Sequence, residues 1–163
     1  MSPSRLLILM LSVVFVLGMV SPSPAAGGHK IGQKMAGTYL WTEDGSSQRV
    51  VTITRGGEFS SVSEVASEYG FTDGLGSALR TGKNEVTATQ VDFNYDKVDG
   101  TPTGVTRVIF SMVFADKEQG QFQTVSGSLM GVSYEVGENP LNPSTKPTGT
   151  FTYTFSGQRV RPN

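Results

Sequence analysis

The sequence predicts an all-β fold, a single antiparallel meander β-barrel of seven or eight strands, and three observations predict it. The segment Phe151-Thr152-Tyr153-Thr154-Phe155 alternates ring and threonine, so three large side chains share one face of a sheet and the hydroxyls share the other. The opening Gly37-Thr38-Tyr39-Leu40-Trp41 sets two further rings on one face, and Arg159 closes the chain, so the first and last strands are expected to meet. Turn signals recur between alternating segments at intervals of about ten to fifteen residues, which suits a meander and not βαβ units. Composition agrees: 20 glycines accompany many Thr, Val and Ser, while strong helix formers are sparse.

Taken in order, Gly37 to Thr42 reads as the first strand. Asp44-Gly45 turns it into Arg49 to Thr54, whose Val50-Val51-Thr52-Ile53 is β-branched throughout. Arg55-Gly56-Gly57 is a second tight turn into a strand over Glu58 to Val65. Ala66 to Lys83 has no steady period and is expected as a long loop carrying a short strand or a helical turn. Glu85 to Tyr95 resumes alternation, and Asp99-Gly100-Thr101-Pro102-Thr103-Gly104 is dense in turn residues. Gly104 to Ala115 is the most apolar strand. Asp116 to Gly120 returns it into Gln121 to Val136, with bends expected at Gly127 or Gly131. Pro140, Pro143 and Pro147 mark Gly137 to Pro147 as a long exposed loop, and the last strand runs from Thr148 to Val160.

Residues 1–25 read as a signal peptide. Arg5 supplies the positive start, and Leu6 to Val20 is free of charge, largely apolar and short for a bilayer span. Ser23 and Ala25 are the small residues ahead of the cut, with Ala26 as the neighbouring alternative. A secreted or periplasmic location follows, with an uncleaved membrane anchor as the rival reading. Residues 26–35 are expected as a flexible lead and residues 36–163 as the barrel domain. Removing residues 1–25 from the 163 leaves 138, a length for one domain with a substantial core. The absence of cysteine excludes disulfides and thiolate metal sites, so packing must supply the stability.

Beyond Arg5 there are 12 Lys and Arg against 14 Asp and Glu, with no basic run, so a nucleic-acid partner is not expected. The only histidine, His29, falls beside the cleavage site, where no scaffold holds it near a nucleophile, which argues against a Ser-His-Asp hydrolase. Glu64 and Glu68 form a close carboxylate pair at helical spacing, in a segment that reads as strand and loop. No metal and no cofactor are expected.

A barrel of this size has an interior that side chains fill or that accepts one small ligand. The candidate ligand-contact residues are Tyr39, Trp41, Phe59, Phe110, Met112, Tyr134 and Tyr153; the plainer reading of each is core packing. Both faces of the strand after Gly104 are partly apolar. The face that misses the interior needs a loop, a helix or a second copy of the chain over it. Gln90, Asp92 and Asn94 alternate against Val91, Phe93 and Tyr95. As a solvent side they are unremarkable, but pointed into a barrel mouth, Asp92 with Arg107 on the next strand would orient a ligand's polar group or move a proton. These two are the tentative catalytic pair.

Gly37-Thr38-Tyr39, with Trp41 on the same face and Arg159 at the end, resembles the calycin group of lipocalins and avidins. Their first strand carries Gly-x-Trp, and a closing arginine packs across that ring. Tyr39 stands here in the tryptophan place. The segment from Glu85 to Tyr95, its Gly-Thr-Pro turn and the apolar strand beyond it are also similar in texture to the allene oxide cyclase and dirigent-like barrels. The first likeness implies an exported barrel holding a small apolar molecule. The second implies a cyclase or isomerase shaping a hydrophobic substrate. A third reading is a non-catalytic structural or partner-binding module with a filled core.

Overall fold

The computed structural model describes residues 30–162; the expected leader and His29 lie outside the described residues. Eight strands run in sequence order: β1 (Gly37–Glu43), β2 (Ser47–Ile53), β3 (Glu58–Ser63), β4 (Gly74–Arg80), β5 (Glu85–Tyr95), β6 (Pro102–Glu118), β7 (Gln121–Tyr134) and β8 (Gly149–Arg159). Each pairs antiparallel with its neighbour, and β1 pairs β8 from Tyr39 opposite Arg159 to Glu43 opposite Phe155, closing the barrel. Closure pairs β1 with β8, the two strands that would otherwise be the outer edges of the sheet. The aperiodic stretch after β3 resolves into one helical turn, α1 (Ala66–Tyr69), and β4.

Alternation sends Tyr39 and Trp41 of β1, Val51 and Ile53 of β2, Phe59 of β3, and Phe110, Met112 and Phe114 of β6 inward, all at 2 % exposure or less. The rings interlock. Phe155 stacks on Trp41 with centroids 4.1 Å apart, Phe59 meets Phe110 at 4.9 Å, and Tyr39 meets Phe114 edge-on at 5.4 Å. This half of the barrel is filled.

The closed end is sealed by the N-terminal segment and Arg159. Ile31, within the segment expected as a flexible lead, is 1 % exposed in the core beside Met35. The Arg159 guanidinium sits 4.8 Å over the Tyr39 ring. It donates to the carbonyls of Phe122 (2.7 Å), Ala36 (2.9 Å) and Lys34 (3.1 Å) and to the Tyr39 hydroxyl (2.5 Å). Gly37 makes room for it, since a Cβ there would overlap the guanidinium. Burial pushes the Tyr39 phenol up to about 12 even though the Arg159 charge pulls the other way, so the cation faces a neutral ring.

Outer faces differ. Val105, Val132 and Tyr134 form a small second core outside the barrel wall, where Arg107 lies over the Tyr134 ring (5.8 Å) and donates to the Pro140 carbonyl (2.9 Å). The proline-rich β7–β8 loop therefore covers part of the apolar outer face of β6.

The connections are unequal. At the closed end they are short: residues 54–57, 81–84 and 119–120. At the other end they include residues 64–73, with α1, and residues 135–148. Long loops at one end of a rigid scaffold mark the end where binding surfaces are built.

Candidate functional site at the barrel mouth

Above the Trp41–Phe155 stack the packed core stops and the barrel opens into a cavity of about 720 Å³. Its apolar wall comes from Val108 of β6, Leu129 of β7, and Phe151 and Tyr153 of β8, with Val65 and Phe71 from the connection around α1. Phe151 lies over Gly131, its partner across β7 and β8; any Cβ at 131 would enter the ring. Gly131→Ala is therefore expected to turn Phe151 out of its place at a cost of about 1 kcal/mol, because a side chain 37 % exposed has room to yield. Thermal unfolding of the variant, with its crystal structure, checks this; an unmoved ring would contradict it.

The floor is polar, and its groups form a chain. Trp41 Nε1 donates to Glu43 Oε1 (3.2 Å), and Arg49 donates through Nε to the same oxygen (2.6 Å) and through a terminal nitrogen to Oε2 (3.3 Å). Arg49 also donates to Ser61 Oγ (3.2 Å), Ser61 donates to Gln90 Oε1 (2.7 Å), and Gln90 Nε2 donates to Asp92 Oδ2 (3.2 Å). Every member is nine-tenths buried or more. A polar network in low dielectric is favourable only where its groups are satisfied, and Asp92 ends this one incompletely. Its Oδ1 accepts no hydrogen bond from a described residue. Burial raises its carboxyl from the ordinary 3.8 to about 6, with the Gln90 bond and the Arg49 charge pulling it part of the way back. Ser63 Oγ, at the level of Arg49 on β3, is buried without a partner. Higher up, Asn94, Thr106 and Ser133 are linked by hydrogen bonds of 2.9 and 3.2 Å on the cavity wall.

Of the seven expected ligand-contact residues, Tyr153 alone lines this cavity. Tyr39, Trp41, Phe59, Phe110 and Met112 lie in the filled half, and Tyr134 packs outside the wall. Asp92 is in the cavity, but Arg107 is not beside it: Arg107 pairs with Val91 on the outward face, and the cation nearest Asp92 in effect is Arg49 of β2. Sequence reasoning passed over Glu43 and Arg49. Strand parity held the signal, because Glu43 shares a face with Tyr39 and Trp41, and Arg49 shares one with Val51 and Ile53.

A second hollow of about 710 Å³ lies outside the barrel against Phe93, Val105, Val136 and Leu141; it has no buried charged group. Among the described residues no three of His, Cys, Asp and Glu gather closely enough to hold a metal ion. Comparison with family models, with curated proteins and with solved structures found no match.

Proposed function

We propose that this chain works, once freed of its leader, as an exported barrel that binds a small, mostly apolar molecule in the mouth cavity. One observation carries the reading: the barrel is filled with rings at one end and hollow, by about 720 Å³, at the other. That volume suits a ligand of ordinary small-molecule size, and apolar walls with a few convergent polar groups are the usual make-up of such sites. Phe151 and Tyr153, 5.5 Å apart, supply the contact area, and Asp92, Asn94 and Thr106 orient the polar end. The Arg159 guanidinium over Tyr39 fits the calycin-type closure, which supports the same reading. The filled half alone would suit a structural module.

The experiment is mass spectrometry of molecules that co-purify with the exported protein, followed by their affinity for Tyr153→Ala. A single apolar compound is expected, bound about tenfold more weakly by the variant. Because Tyr153 is 43 % exposed, the variant should unfold at nearly the native temperature. Unchanged affinity in a folded variant would remove the mouth from the account.

A second reading is favoured by the raised carboxyl of Asp92. A carboxylic acid held near 6 exchanges protons readily at neutral pH, which suits a barrel cyclase or isomerase of the allene oxide cyclase or dirigent type acting on a hydrophobic polyene. Conversion of the co-purifying compound to a rearranged product, lost in Asp92→Asn, would favour this enzyme over a binder.

A further inference from the structure

We propose that the mouth selects ligands whose polar end is a protonated amine held by Asp92, and discriminates against carboxylates of the same apolar body. The inference rests on the mouth being the ligand site, and it deepens that reading to a class of ligand.

Four carboxylates line the cavity, on Glu43, Asp44, Glu64 and Asp92, against one cation, Arg49. The cation is not free. Glu43 takes two of its hydrogen bonds, and the two side chains are only 9 % and 5 % exposed, so its charge is neutralised before any ligand arrives. An entering carboxylate would have to compete with Glu43 for Arg49, in a site where losing that partner would leave a buried charge uncompensated. The rim acids have structural duties. Asp44 accepts from the Thr154 backbone (2.7 Å) and hydroxyl (2.9 Å), and Glu64 accepts from the Gln48 backbone (2.6 Å). Lys97, the nearest cation on the β5–β6 connection, donates to the Glu68 carbonyl and is not part of the lining.

Asp92 differs from the other three. It is 4 % exposed, it lines the cavity, and only Oδ2 is engaged, by a neutral amide from Gln90. Oδ1 accepts from no described residue and is open to the cavity, so a ligand's donor can reach it, and a cationic donor satisfies both the hydrogen bond and the charge. Rings at Phe151, Tyr153 and Phe71 add faces that favour a cation over an anion.

Three probes with one apolar body test this by calorimetry on the purified protein at pH 7.5: 1-naphthylmethylamine, 1-naphthylmethanol and 1-naphthylacetate. The amine should bind about tenfold more tightly than the carboxylate, with the alcohol between them. In Asp92→Asn, with its fold verified by circular dichroism, that ratio should narrow to about two or three, the rim charges being screened by solvent and salt. Should that variant fail to fold, the native protein at pH 5 serves instead, because Asp92 is then largely protonated and the same narrowing is required; Glu43 and Arg49 face it from β1 and β2, and Asp44 and Glu64 from the rim. Alcohol binding with a carboxylate as tight as the amine would overturn the preference and leave the mouth as a site. A full preference surviving in Asp92→Asn, or at pH 5, would overturn the role of Asp92. Failure of all three probes to bind would overturn the mouth as a ligand site and this inference with it.

Discussion

Replacing Arg159 with methionine is expected to cost about 3–5 kcal/mol and to lower the unfolding midpoint by roughly 10 °C or more. Methionine keeps the apolar stem but leaves the carbonyls of Lys34, Ala36 and Phe122 and the Tyr39 hydroxyl without the guanidinium that links them. Hydrogen bonds from a charged donor contribute about 1.5–3 kcal/mol each when buried. Here part of the fork is exposed, which brings the sum down to the stated range. The contact also joins three separated stretches: the segment before β1, the start of β7, and the end of β8. The cation–π contact with Tyr39 adds to it. Arg159→Lys should recover only a fraction, because one ammonium cannot reach four acceptors spread around a planar fork. Urea denaturation followed by far-UV circular dichroism decides the matter. A loss below about 1 kcal/mol would mean that the β1–β8 ladder closes the barrel unaided.

The same residues explain how much was legible beforehand. Regular alternation at Phe151 to Phe155 and at Glu85 to Tyr95 gave strands whose bounds agree closely with β8 and β5, since a half-buried strand writes its two faces directly into the sequence. β4 was harder. In its Gly74-Leu75-Gly76-Ser77-Ala78 only Gly74 is buried and Ala78 half-buried, while Leu75 is 70 % exposed, so polarity does not track burial. The glycines are needed because β5 approaches closely: a Cβ at Gly76 would meet the Thr89 backbone. The same difficulty affected Arg107. With apolar residues on both faces of β6, nothing in the strand itself said which face turned inward, and the answer came from the loop that covers Val105 and Tyr134. Arg49 and Glu43 were readable only by extending the parity of β1 and β2 to their last inward positions, where charge is unexpected. That charge marks where the packed apolar interior ends and the mouth cavity begins.

Asp92→Asn is expected to stabilise the protein by about 1–2 kcal/mol at pH 7.5, and the gain is expected to vanish near pH 4. The folded carboxyl titrates near 6, above the ordinary 3.8, because burial disfavours its charged form more than Gln90 and Arg49 favour it. Between those two values the folded protein holds a proton that the unfolded chain has released, so stability falls as pH rises across that window and is lowest above 6. At about 1.4 kcal/mol for each pH unit the shift sets an upper limit of roughly 3 kcal/mol. Water reaching Asp92 through the open mouth reduces it to the stated figure. Asparagine keeps an acceptor for Gln90 and removes the charge. Urea melts of native protein and variant at pH 4, 5, 6 and 7.5 should therefore converge at the acid end and separate above 6. A variant less stable than the native protein at pH 7.5 would make Asp92 a structural partner of Arg49 and the network a scaffold. Convergence at low pH would instead identify a carboxylate that the fold bears at a loss.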